Sequence, residues 1–375
     1  MLRRDMAARP LFIGSDIYRP SSYGRRHPLA IPRVSTVIDL CRALGWLDDT
    51  HYIDSPVATP AQLARFHDPA YVAAVMEAER TQAVAPELRV RHTLGTIEAP
   101  IYPDMFRRPA TAAGASILAA ELVAGGGIVY TPAGGTHHGR RDRARGFCFF
   151  NDPVLALLRL LDLGLDRLAY VDIDAHRGDG VEDAFAGDAR VLTVSVHEAG
   201  RWPGSGEANG GGRGAVNLAV PPGFNDSEMA FLLDRAVLPL VEAARPQAIV
   251  LQGGADALAD DPLSKLALSN RAHWAAVGAL MPLAPRLIVT GGGGYNPWSV
   301  GRCWAGVWAT LNGFEVPDRL PVAAEAVLRG LSWQRAAGRN PPAHWFTTLA
   351  DPPRPGPVRD EVRQAGRLAR AVPTA

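Results

Sequence analysis

The chain is almost without lysine: of its 39 basic residues only Lys265 is one, and arginine supplies the rest. With 38 acidic residues against them, the formal net charge is +1. That balance offers neither a basic stripe for nucleic acid nor a polybasic patch for an anionic membrane. Cysteine is scarce as well. Cys41, Cys148 and Cys303 are odd in number and far apart, which excludes a disulfide framework and a CxxC zinc knuckle. No apolar run approaches the ~18 residues of a membrane span. Met1–Pro10 has no apolar segment of the kind a secretory leader carries. No internal repeat or low-complexity linker is present. These absences leave a reducing, cytoplasmic setting as the expectation.

What the chain does have is alternation. Apolar, strand-like runs recur at Pro10–Gly14, Gly127–Thr131, Leu168–Ile173, Arg190–Val196, Gln247–Gln252 and Arg286–Thr290. Helical patterns fall between them at Ala110–Val123, Pro153–Leu161, Asp226–Ala244, Asn270–Leu283 and Trp298–Leu311. Such alternation predicts an α/β fold with parallel strands and helical crossovers. Several strands run into glycine-rich loops, the usual rim of an active site in this class. His197–Val216 reads as a long, glycine-rich rim loop.

Four of these loops carry unusual chemistry. The first holds the pair His137-His138 between glycines. The second, YVDIDAHRGDG, brings Asp172, Asp174, His176 and Asp179 to the end of one strand. The third, QGGAD, places Asp256 just past another. The fourth, GGGGY, presents Tyr295. Asp172, Asp174 and His176 are spaced by two, so an extended backbone points them the same way. Each motif has an ordinary reading: a surface histidine pair, a helix-capping aspartate, a tight turn. GGGG lacks the Lys-Ser/Thr of a phosphate loop. Four such motifs, each at a strand end, argue for one site. Asp174, His176 and Asp256 make a three-ligand set of the catalytic zinc type. Zinc lowers the pKa of its water to roughly 7, a histidine moves the proton, and a tyrosine hydroxyl meets the oxyanion. Asp172 and Asp179 are candidates to orient the histidines. The parts add up to metal-assisted amide hydrolysis.

In order along the chain, GGTHHG…RGFCFFND, VDIDAHRGDGVEDAF, SVH…RWPGSG, LQGGADALADDPLSKL and GGGGYNPWSVGRCW resemble the signatures of the zinc-dependent histone deacetylase family. The likeness is strongest to its bacterial, acetoin-utilisation-type branch and covers roughly residues 10–315. It implies a three-layer α/β/α fold with a central, mostly parallel sheet of eight strands, of the arginase/deacetylase type. Residues 1–375 would form one domain, with a tail over about 351–375. The resemblance assigns one zinc per chain to Asp174, His176 and Asp256, and catalytic roles to His137, His138, Asp172, Asp179 and Tyr295. It assigns substrate binding to Glu98, Gly146, Phe147 and Trp202, with Phe147 and Trp202 as the walls of an acyl-lysine tunnel. It implies a structural potassium ion at Asp172, Asp174, main-chain oxygens near His176, and Ser195. Arg33 matches an arginine of an internal channel.

The substrate so implied is an acetylated lysine in a protein or peptide, with a small acetylated metabolite or polyamine as the rival. Pro262 stands where polyamine-specialised relatives carry an acidic residue, which counts against the polyamine. Three departures from the family pattern bear on the site. Arg177 follows the ligand His176, where it would alter the charge of the inner channel. Trp202 replaces a usual Phe, and Glu98 a usual Asp. Two other classes are weighed. A two-manganese ureohydrolase would need a carboxylate at position 178, which is Gly. A non-catalytic acyl-lysine binder would be expected to have lost a ligand, the tyrosine or the histidine pair.

Overall fold

The strands are β1 (Leu11–Gly14), β2 (Tyr52–Asp54), β3 (Gly127–Thr131), β4 (Leu168–Asp172), β5 (Val191–Glu198), β6 (Ala215–Val220), β7 (Ala248–Gln252) and β8 (Arg286–Thr290). In the computed structural model, which describes residues 9–24, 27–204 and 214–369, they form one sheet in the order β2-β1-β3-β8-β7-β4-β5-β6. Every pairing is parallel. β4 and β7 are buried at every position, as a parallel sheet covered on both faces requires. The two-residue period divides them. Ala169, Val171, Ile249 and Leu251 face one core, with the helices Asn270–Leu280 and Pro297–Asn312. Leu168, Tyr170, Ala248 and Val250 face the other, with Arg107–Leu122 and Asp152–Asp162. The result is the three-layer α/β/α arrangement expected.

Six strands lie within two residues of the expected runs. β2 and β6 were not expected. β2 has only three residues and none is buried. β6 follows a glycine-rich stretch and takes over the end of the anticipated rim loop, while β5 extends to Glu198 and takes its start. Residues 205–213 of that loop, with Ser205-Gly206 of the RWPGSG motif, lie outside the described residues, as do 370–375 of the tail. The helix expected over Asp226–Ala244 runs through a wider π-type turn at Leu233–Val237. That turn sits just before Pro239, which has no N–H to give to the regular ladder.

The ends of β3, β8, β7 and β4 are neighbours in the sheet. Each ends in one of the four loops singled out above, so the topology alone gathers them at one edge.

Candidate metal and acid–base site

β4 stops at Asp172, and the chain then folds rather than extends. Asp172 Oδ1 accepts the Asp174 N–H at 3.0 Å, and Asp174 Oδ1 accepts the His176 N–H at 3.0 Å. The three side chains therefore do not point one way, as the spacing alone suggested. Asp172 faces His137, while Asp174 and His176 turn to meet Asp256. One donor atom each from Asp174, His176 and Asp256 lies within 4.8 Å of the others. His176 Nδ1 is 2.9 Å from Asp256 Oδ2 and 3.2 Å from Asp174 Oδ1. Glycine lets the strand-end loops close on these carboxylates: a Cβ on Gly254 would overlap Asp174, and one on Gly293 would overlap Asp256.

The donor set fits a divalent cation. Asp174 and Asp256 are fully buried, and burying two carboxylates is costly unless positive charge meets them. Burial on its own lowers the basicity of His176, but Asp256 and Asp174 outweigh it and raise its pKa to about 10. Two carboxylates and an imidazole suit zinc, which would take the place of that proton.

Beside this trio stand two histidine–aspartate pairs. His137 donates from Nδ1 to Asp172 Oδ2 at 2.7 Å, and His138 from Nδ1 to Asp179 Oδ1 at 2.8 Å. A carboxylate only accepts, so each pair fixes the tautomer and leaves Nε2 for other work. The rings are 4.0 Å apart. Burial lowers both, but Asp172 and Asp174 overcome it at His137 and lift it to about 9. At His138 burial prevails, aided by the neighbouring His137 charge, and brings it to about 3. The two adjacent imidazoles are thus pushed in opposite directions. Tyr170 donates to Asp172 Oδ2 at 2.7 Å. Burial, with the Asp256 and Asp174 charges, holds the Tyr295 phenol well above its usual pKa, so it remains a donor.

Comparison with known proteins agrees with this geometry. The histone deacetylase domain matches residues 27–311. Over 309 residues the chain is 36% identical to histone deacetylase 9 of Arabidopsis thaliana, covering 80% of this chain and 72% of that one. The chain belongs to the histone deacetylase family. The family's members hydrolyse acetyl-lysine amides, and with them the chain falls among the metal-dependent amidohydrolases. It is 32% identical over 299 residues to histone deacetylase 8 of Xenopus tropicalis, covering 77% of this chain and 80% of that one. It spans 59% of histone deacetylase 1 of rice and 61% of a putative histone deacetylase 2 of Caenorhabditis elegans. A histone deacetylase homologue from Aquifex aeolicus superimposes with a TM-score of 0.92 at 34% identity, covering 97% of this chain and 100% of that one.

Above the site of this histone deacetylase homologue opens a pocket of about 570 Å³. Glu98, Gly146, Phe147 and Trp202 all line it, with Tyr295, His138 and His176 at its floor. Arg145 and Cys148 exchange both backbone hydrogen bonds around a tight turn. Both central residues, Gly146 and Phe147, have positive φ, 53° and 66°. A Cβ on Gly146 would overlap Trp202 and crowd His138, so the turn needs glycine there. Glu98 accepts the Gly146 N–H at 3.0 Å, so one of its oxygens is already engaged by the chain itself. Arg33 lines a smaller cavity of about 50 Å³ that His137, His138, Asp174, His176 and Tyr295 also line, and it donates to the Gly292 carbonyl at 2.7 Å. Arg177 does not line that cavity and is ion-paired with Glu182 at 2.7 Å.

Several supporting residues escaped the sequence reading. Asp152 accepts from the N–H groups of Gly135 and Thr136 and from Ser116 Oγ, which pins the loop carrying the histidine pair. Its signal was the Asn-Asp at the end of FCFFND. Asp261 accepts the Tyr295 N–H at 2.7 Å. Arg140 pairs with Asp179, and Arg145 Nε lies 3.4 Å from the same carboxylate. Arginines in so arginine-rich a chain carry no signal in the sequence. Burial alone would raise the Asp179 pKa, but the His138 hydrogen bond and both arginines outweigh it and hold it at about 2.

Proposed function

We propose that the chain is a zinc-dependent deacylase that hydrolyses the amide of N-acetyl-lysine, or of a similar acylated amine, to acetate and free amine. The observation that carries this reading is the buried Asp174–His176–Asp256 trio beside two histidine–aspartate pairs at the floor of an aromatic-walled pocket. Zinc bound by the trio supplies Lewis-acid polarisation of a carbonyl and an acidified water.

The side chains do the rest. His138, neutral and held through Nδ1 by Asp179, accepts a proton at Nε2 from the attacking water and returns it to the leaving amine. His137, charged and held by Asp172, stabilises negative charge next to it. Tyr295 donates its hydroxyl to the developing oxyanion. Phe147 and Trp202 flank the alkyl chain, Gly146 offers backbone between them, and Glu98 meets the substrate backbone with its remaining oxygen. A structural potassium ion belongs to the same reading: Asp172 and Ser195 are register partners on β4 and β5, next to Asp174. Three free, buried thiols are compatible with a reducing cytoplasm.

The test is stoichiometry. Acetate and free lysine side chain should appear one for one from an acetyl-lysine peptide, and faster than amine from a small acetylated polyamine. The reverse order of rates would transfer the site to the small-amine class. No hydrolysis of either by the zinc-loaded protein would end the deacylase reading.

A further inference from the structure

Trp202 is an exposed indole, 42% accessible, in the position of a pocket wall. Its ring packs edge-on against His138, centroids 4.8 Å apart. Over it lies the guanidinium of Arg145, 5.3 Å from the ring centroid. The same guanidinium reaches inward as a charge without a hydrogen bond, its Nε 3.4 Å from Asp179 Oδ2, while Asp179 Oδ1 holds His138. Arg145 thus touches the wall and the acid–base carboxylate at once, and His138 lies between them. Its backbone is not free to drift, because the doubly bonded turn to Cys148 fixes it. Arg140 donates from Nη2 to the same Asp179 Oδ2 and from Nη1 to the Asp179 carbonyl, and it pairs with Asp183 as well.

We propose that Arg145 is a positioning residue that couples the wall of the substrate pocket to the acid–base pair. Its planar cation holds the Trp202 indole against His138 and, as a second positive charge beside the hydrogen-bonded Arg140, favours the Asp179 carboxylate that orients His138. The inference rests on the deacylase reading for its kinetic consequence and on geometry alone for the contact. Stacking on the indole is a property of the guanidinium plane, whereas charge at Asp179 is a property of any cation. Lysine at 145 separates the two.

The experiment uses full-length, zinc-loaded protein containing 5-fluorotryptophan, with the Trp202 fluorine resonance identified by its loss in Trp202→Phe. Arg145→Met should shift and broaden that resonance, raise KM for an acetyl-lysine peptide about fivefold and lower kcat about tenfold, with zinc content unchanged. Arg145→Lys should return kcat to within about threefold of the parent while KM and the resonance stay altered. An unmoved Trp202 resonance and an unchanged KM in both variants would overturn the coupling. So would equal damage in both variants that merely tracks loss of zinc. If the parent turns over no acyl-lysine substrate, the deacylase reading fails, and the fluorine resonance still decides the contact.

Discussion

Tyr295 shows how a single residue is prepared by its surroundings. Its backbone N–H is held by Asp261, its ring meets Phe147 at 5.9 Å, and burial keeps its hydroxyl protonated. The group is kept as a hydrogen-bond donor. Tyr295→Phe removes the donor and little volume. Turnover should fall about a hundred- to a thousand-fold, with zinc content measured by absorption spectrometry unchanged. Near-normal turnover would contradict the oxyanion role. The partners of the two histidines are a second case. Asp172 and Asp179 were candidates from the sequence because carboxylates near a histidine pair can orient it. Which aspartate serves which ring is shown by the distances: Asp172 holds His137 and Asp179 holds His138. The arginines behind Asp179 were not legible at all, since a salt bridge between distant loops leaves no local pattern.

At the scale of elements, the loop after β3 depends on one buried carboxylate. Asp152 caps the loop from the start of the helix Asp152–Asp162, accepting two backbone N–H groups and the Ser116 hydroxyl. Asp152→Ala leaves those buried donors without an acceptor, each worth about 1–3 kcal/mol. We expect a clear loss of stability in urea melts, together with lowered activity although no proposed catalytic group is altered. A variant as stable as the parent would show that the loop is held by other contacts. The C-terminal helix Asp360–Ala369 is tied down by Arg359, whose guanidinium meets Glu228 at 2.7 Å through both Nε and Nη2. Burial raises the Glu228 pKa, but Arg359 and nearby backbone N–H groups outweigh it and hold it below its ordinary value of 4.5. A depressed carboxylate contributes stability above its unfolded pKa and loses it as pH falls through the folded value. Proteolysis of the C-terminal segment should therefore be slow at neutral pH and quicken below about pH 4.5. Arg359→Ala should abolish that pH dependence, and a cleavage rate flat with pH in the parent would contradict it.

Across the whole molecule, the fold was legible where burial is two-sided. Leu168–Asp172 and Ala248–Gln252 are central strands, so every residue is apolar or part of the site. The edge strands were not legible, because Tyr52–Asp54 is short and half-exposed and Ala215–Val220 follows glycines. The site was legible as a set of strand-end motifs, and the parallel sheet explains why they converge: neighbouring strands β3, β8, β7 and β4 end on one side. What the motifs could not show is the fold after β4, where Asp172 meets His137 while Asp174 and His176 meet Asp256. The spacing of two therefore marks two functions rather than one ligand set.

In the proposed function, Asp174, His176 and Asp256 hold a zinc ion on which turnover depends. The direct test is to strip the purified protein of metal, assay an acetyl-lysine peptide, and reload with one equivalent of zinc. Turnover should vanish with the metal and return on reloading, and thermal stability should fall and recover in step. Turnover that persists without metal, or a protein full of zinc that hydrolyses no acylated amine, would contradict it.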